Sequence, residues 1–256
     1  MHYTNFFRNL TKTFWILVLS AFSSLAFSVD TDGDGLQDYH IAAGGYHTCA
    51  IDDNGLQCWG YNQYEQSTVP TGLVNPVAVA AGNNHTCAID DNGLQCWGLD
   101  DYGQTTVPSG LVNPVAVAAG GGHTCAIDDN GVKCWGADYY GQSTVPTDLV
   151  NPVAVAAGDM YTCGLDDNGV QCWGDNRSGQ TTVPTGLVNP VAVAAGGNHI
   201  CAIDDNGVQC WGYNGYEQST VPAGLENPVA VAAGYYHTCA IDDSGVQCWG
   251  DRKSVV

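Results

Sequence analysis

HTCAIDDNGLQCWG, residues 47–60, sets a histidine and two cysteines around an Asp-Asp-Asn-Gly turn. Taken alone, the stretch suits a zinc site, a redox pair, a calcium loop or a stapled hairpin. Its recurrence narrows the choice. Cys49 and Cys58 are followed by cysteines at 87 and 96, 125 and 134, 163 and 172, 201 and 210, and 239 and 248, a step of 38 residues each time. A period of 20–50 residues marks a solenoid, a propeller or an array.

The local chemistry of one unit, VAVAAGGGHTCAIDDNGVKCWGADYYGQSTVPTDLVNP (115–152), selects among these. Val-Ala-Val-Ala-Ala is short and β-branched, bounded by Pro before and Gly after, and reads as a strand. Thr-Cys-Ala-Ile and Val-Lys-Cys-Trp flank Asp-Asp-Asn-Gly, a hairpin signal with Gly ready for positive φ. Thr-Val-Pro adds a short fourth segment, and its Pro suits a sheet edge. No segment carries a 3.6-residue period over ten residues, which excludes helical repeats. Three or four short antiparallel strands per unit predict an all-β propeller blade, with the Ala-rich strand at the crowded axis. A β-solenoid is the alternative.

The eight residues between paired cysteines place them nearly opposite on adjacent strands, at about 4.5–5.5 Å between Cα atoms, a span a disulfide accepts. The expected bridges are Cys49–Cys58, Cys87–Cys96, Cys125–Cys134, Cys163–Cys172, Cys201–Cys210 and Cys239–Cys248. The rival is zinc on His47, Cys49 and Cys58, which supplies only three ligands. A redox role lacks a Cys-x-x-Cys. The histidines at 47, 85, 123, 199 and 237, replaced by Tyr161 in the fourth unit, either lie in the core or ring an axis to bind metal or anions. The Asp pairs, Asp52-Asp53 and their copies, suit turns, with calcium as the rival.

Formal net charge is −20, and all 26 acidic residues lie at or after Asp30. A body this poor in Lys and Arg argues against nucleic-acid partners and against docking on anionic membranes. Residues 1–28 read as a signal peptide: Arg8 and Lys12, then the apolar run 14–27, then Ala26 and Ser28 as the small residues of a cleavage site before Val29. A retained anchor is the alternative, although the run is shorter than the ~20 residues of a spanning helix. The mature protein is expected to be secreted, periplasmic or on the cell surface, with no membrane insertion. In 29–40, Asp30, Asp32, Asp34, the Leu36 carbonyl and Asp38 follow the start of an EF-hand-like calcium loop. Ile41 stands where the bidentate acid belongs, and an acidic linker is the plainer reading. That stretch resembles a thrombospondin type 3 calcium repeat. No cofactor is required elsewhere.

The run AAGxxHTCAIDDNGVQCWGxxxxGQSTVPxGL over 41–250 resembles the repeat of the regulator-of-chromosome-condensation family. It is most similar to the short-blade bacterial branch that includes the propeller-type β-lactamase inhibitor protein. The resemblance implies a β-propeller, commonly of seven blades, and a structural hydrogen-bonding role for the repeated histidine. The sixth unit stops after Gly250, and DRKSVV (251–256) matches none of the earlier units. It reads as translated adapter sequence, so the natural chain is expected to continue with at least one more blade.

Two windows vary between units. One precedes the histidine and carries Tyr46, Tyr235 and Tyr236. The other follows Trp-Gly: Tyr61, Asn62 and Tyr64; Tyr102; Tyr139 and Tyr140; Asn176 and Arg177; Tyr213, Asn214 and Tyr216. Tyr amid Asn, Asp and Gly is the composition of adaptable binding loops. The expected function is therefore an exported, non-enzymatic module binding an extracellular protein or glycan through a tyrosine-rich propeller face. Two alternatives are an inhibitor of an extracellular or periplasmic hydrolase, which the resemblance admits, and a propeller hydrolase or lyase. An enzyme should break the repeat at one site, and the singular groups Lys133, Arg177 and Asp148 lack an obvious partner set.

Overall fold

The computed structural model describes residues 40–251. The signal segment, the Asp30–Asp38 loop and residues 252–256 lie outside the described residues. Unit 1 is a three-stranded antiparallel sheet, β1 (His40–Ala43), β2 (His47–Asp52) and β3 (Gly55–Gly60). The same inner, middle and outer strands recur in five further units, ending with the strand Gly245–Gly250. No helix occurs among the described residues. The architecture is an all-β propeller of three-stranded blades.

Thr-Val-Pro is not a fourth strand: residues 68–70 and their copies carry no strand pairing. Proline has no N–H to offer a ladder. The chain there instead supplies the Gln66 carbonyl, which accepts from Trp97 Nε1 (3.0 Å) and Thr86 Oγ1 (2.7 Å) of the next blade. The same bonds join Gln104, Gln142 and Gln218 to their successors.

The core lies between blades. Ala42, Cys49 and Ile51 of unit 1 close over Val79 and Ala81 of unit 2, and equivalent clusters follow. Val79, Val117, Val155, Val193 and Val231 on the inner strands are therefore fully buried, each against the preceding unit. Ile41 holds that position in unit 1 and is 41% exposed, and Trp59 nearby is 51% exposed. No preceding unit covers them among the described residues.

Cys49 pairs with Cys58 in the strand register, and all six expected disulfides form. Their Cα atoms stand 4.0 Å apart, closer than the expected ~4.5–5.5 Å. The Asp pairs build turns. Asp90 accepts from Asn92 N–H (2.9 Å) and from Val74 N–H (2.8 Å), while Asp91 accepts from Asn75 Nδ2 (2.7 Å). The pair thus clasps the preceding Leu-Val-Asn-Pro connection to the hairpin. Burial pushes the Asp90 carboxyl up, but its hydrogen bonds from Val74, Asn92 and Gln95 outweigh that and hold it below the ordinary value. With those oxygens engaged, the calcium reading of the Asp pairs does not hold.

Lys133 belongs to this turn system. It stands where the other units have Gln and donates to Asp128 Oδ2 (2.9 Å) and to the Gly110 carbonyl (2.6 Å).

Candidate functional site

The strand directions place both variable windows at one end of every blade. Tyr61 N–H bonds the Tyr46 carbonyl at 2.9 Å, and the same bond ties Leu99 to Asn84, Ala137 to Gly122, Asp175 to Met160 and Tyr213 to Asn198. The Asp-Asp-Asn-Gly turns cap the other end, where the middle and outer strands meet at Asp52 and Gly55. The two windows therefore share a face, which the sequence left open.

On that face the tyrosines touch. Tyr46 meets Tyr61 at 5.9 Å between centroids, and Tyr61 meets Tyr64 at 6.2 Å. Tyr102 of unit 2 meets Tyr139 of unit 3 at 5.6 Å. Tyr213, Tyr216, Tyr236 and Tyr235 form a chain across units 5 and 6, with spacings of 6.2, 4.8 and 4.7 Å. Tyr140 carries the guanidinium of Arg177 at 4.7 Å from its centroid. These rings are exposed except Tyr235, which is half-buried.

Other predicted residues serve the loops themselves. Asn62 accepts from Ser67 N–H (2.9 Å) and donates to Thr68 Oγ1 (2.8 Å); Asn176 and Asn214 repeat the pattern. Their amides hold the window in shape rather than standing free. Arg177 is engaged as well: its Nε and Nη2 donate to the two oxygens of Asp175 at 2.9 and 3.0 Å.

Four of the repeated histidines, His47, His85, His123 and His199, lie in the core, and His237 is half-buried. His85 Nε2 meets Thr124 Oγ1 at 2.9 Å, with His47–Thr86, His123–Thr162 and His199–Thr238 alike. Each ring covers a glycine: a Cβ on Gly82 would lie 2.5 Å from His85 Cε1. With the cysteines in disulfides, the zinc reading fails, and no group of three metal-binding side chains occurs among the described residues.

Asp159 lies in the variable window before the histidine position, though residue type did not single it out as a ligand. Its Oδ1 accepts from Asn83 Nδ2 at 3.1 Å and its Oδ2 from the Tyr235 hydroxyl at 3.4 Å. Each partner lies 76 residues away, two units to either side, so the three side chains meet across the axis. Positions 45, 83, 121, 159, 197 and 235 read Gly, Asn, Gly, Asp, Gly, Tyr. The alternation has a steric cause. A Cβ on Gly45 would fall 2.8 Å from Asn83 Oδ1, one on Gly121 2.3 Å from Asp159 Oδ1, and one on Gly197 3.0 Å from Tyr235 Cδ1. Every second blade gives up its side chain so that its neighbour's fits at the axial mouth. That alternation was the available signal. Burial raises the Asp159 carboxyl above its ordinary value and, with the Asp159 charge, pushes the Tyr235 phenol up to about 12.

An all-β propeller with this repeat defines the class, and comparison with known proteins gives the family. The model of the regulator of chromosome condensation (RCC1) repeat matches residues 39–66, 77–104, 115–142, 153–180, 191–218 and 229–251. The chain belongs to the RCC1 repeat family. Among solved structures it is similar to the ectodomain of the receptor kinase CR4 from Physcomitrella patens, at 26% identity and TM-score 0.69. That match covers 82% of this chain and 63% of the ectodomain, so the chain spans less than two thirds of that protein. The ectodomain of the Arabidopsis thaliana receptor kinase ACR4 matches at 24% identity and TM-score 0.67, over 85% of this chain and 82% of its own. Prp20p of Saccharomyces cerevisiae matches at 19% and 0.71, over 83% and 72%. No curated protein matches by sequence.

Such a propeller is a binding or regulatory module. Six disulfides indicate an oxidising environment. No helix among the described residues is long and apolar enough to cross a membrane.

Proposed function

We propose that the protein is an exported binding module, without catalysis of its own, that recognises a protein or glycan through its tyrosine-lined face. The observation that carries this is the joining of tyrosines from both windows, across neighbouring units, into exposed ring clusters at one end of the propeller. Linked rings offer rigid amphipathic contact area at small entropic cost, and tyrosine is enriched among residues that dominate binding energy. The groups that broke the repeat in sequence support a non-catalytic reading, since Lys133 and Arg177 are bound to their own chain. The CR4 ectodomain supports an extracellular setting.

The test is capture of partners from secreted proteins and a glycan panel, with a β-lactamase among the baits. A variant carrying Tyr139→Ala, Tyr140→Ala, Tyr213→Ala and Tyr216→Ala should bind a captured partner at least about tenfold more weakly. It should keep its thermal unfolding within a few degrees, because these rings are exposed. Unchanged affinity would place recognition elsewhere.

A further inference from the structure

We propose that the axial mouth binds an organic cation, an ammonium or guanidinium head group, with the Asp159 carboxylate as its counter-ion. The inference deepens the tyrosine-face reading and rests on it for the source of the cation, a lysine or arginine side chain of a partner. The Asn83 amide and the Tyr235 hydroxyl both donate into Asp159. What the trio then has left is dominated by acceptors: lone pairs on the carboxylate, on Asn83 Oδ1 and on the Tyr235 oxygen. Ammonium and guanidinium groups are pure donors and match such a set.

Among the described residues the two ion pairs are Lys133 with Asp128 and Arg177 with Asp175; the Arg177 charge reaches Asp159 from a distance and lowers its carboxyl, but forms no ion pair with it. A half-buried carboxylate without a paired cation is costly, and a bound cation removes the cost. Arg177 supplies a precedent within the same unit. It lies between the Asp175 carboxylate and the Tyr140 ring, 4.7 Å from its centroid. At the mouth the same elements recur, Asp159 with Tyr235 and the Tyr236 ring meeting Tyr235 edge to face at 4.7 Å, and no cation of the chain forms an ion pair there. The lone carboxylate is too poor a ligand set for a metal ion, while carboxylate plus aromatic rings suits an organic cation.

The test is titration calorimetry on the intact, disulfide-bonded protein. Three probes are used: Nα-acetyl-lysine methylamide, n-butylammonium, and the neutral Nε-acetylated form of the lysine amide. Both cations should bind at least about tenfold more tightly than the neutral analogue, and Asp159→Asn should remove about tenfold or more of that affinity. Asn83→Ala keeps the charge but removes one acceptor, and should weaken cation binding by less than Asp159→Asn does. A lysine amide that outbinds butylammonium identifies a polypeptide side chain as the source, and equal binding identifies a free amine. Equal affinity of Asp159→Asn and the parent for cations, which is what general attraction to the acidic surface gives, overturns the proposal. So does equal binding of the neutral analogue to the parent, a comparison that stands even if Asp159→Asn fails to fold. An oligosaccharide that binds through Asp159 while the cations do not also overturns it. Partner capture by the four-tyrosine variant reads the tyrosine face and cation titration of Asp159→Asn reads this site, so failure of the partner surface and failure of this site remain distinguishable.

Discussion

Five junctions join the six units, and one of them is built differently. At four of them a histidine meets a threonine of the next blade; between units 4 and 5 the pair is Tyr161 and Ile200. The two replaced residues stand 39 apart, the same separation as each His–Thr pair, so both partners of one contact change together. Removing one partner of a buried hydrogen bond strands the other, whereas replacing both is close to neutral. The tyrosine reaches further than histidine does. Its hydroxyl donates to the His199 carbonyl at 2.6 Å, with the Gly196 carbonyl at 3.0 Å.

The junctions also differ in protonation. Thr124 Oγ1 donates to the Gln104 carbonyl at 2.8 Å, so its lone pair must accept from His85, and the ring proton sits on Nε2. Nδ1 of His47, His85, His123 and His199 is then buried with no partner. A second proton there would have no acceptor. Burial, with the nearby histidines His123 and His47, pushes His85 down to about 3. Burial likewise lowers His199 to about 3 and His123 to about 4. The tyrosine junction has no group that titrates in that range, since burial raises the Tyr161 phenol well above its ordinary value.

The largest effect expected from breaking the comparison is truncation of the fully buried Tyr161 ring. Tyr161→Ala should cost about 3–5 kcal/mol, as for other large aromatic deletions, and should take the hydroxyl from the Gly196 carbonyl, while the His199 carbonyl keeps the Gly196 N–H at 2.8 Å. His123→Ala removes a smaller ring and should cost less, about 2 kcal/mol. Urea unfolding under oxidising conditions ranks them, and equal costs would show that the junctions do not differ in packing.

A double-mutant cycle across the odd junction sharpens the point. Tyr161→His alone faces Ile200, leaves a buried N–H without an acceptor, and should cost about 2–3 kcal/mol. Ile200→Thr alone is milder, because the new hydroxyl has the Gln180 carbonyl within the pattern that Thr162 shows with Gln142. Together the two rebuild the common pair, and the coupling energy should be about 1–2 kcal/mol in favour of the double variant. Additive costs would mean that the paired change in sequence has no energetic basis.

The sequence carried the fold because each blade repeats its own instructions. Hairpin turns, disulfide register and inner strand all follow from Asp-Asp-Asn-Gly, the cysteine spacing and Val-Ala-Val-Ala-Ala, read six times over. Contacts between units were harder to read. That Thr-Val-Pro is not a strand depends on the Gln carbonyl being claimed by the next blade's Trp and Thr. Tyr161 was visible as a departure, but its partner emerges only when the blade-to-blade offset of 39 is known. Asp159 was hidden for a similar reason. Its partners are two units away in either direction, a relation that a comparison of neighbouring copies does not bring out. Asn62, Asn176 and Asn214 looked like ligand groups because residue type says nothing about which bonds a loop has already made.

The smallest effect lies in the pH dependence, and its sign follows from the buried histidines. Their folded pKa values lie below the unfolded value of about 6.5, so the native state resists protons that the unfolded chain accepts. Their contribution is fully present above pH 6.5 and is lost as pH falls from there toward 4–3, where the folded rings themselves titrate. In that window each such histidine removes about 1.4 kcal/mol of stability per pH unit. The Tyr161→His, Ile200→Thr double variant adds one more ring of this kind and takes away none. Its unfolding free energy should match that of the parent most closely at pH 7.5 and fall about 1.4 kcal/mol further behind for each unit below 6.5. Urea titrations at pH 7.5, 6 and 5 give that slope. Parallel pH profiles would show that a histidine at the odd junction is either hydrated or hydrogen-bonded at both nitrogens, and that the four common junctions owe their acid sensitivity to something other than the bare Nδ1.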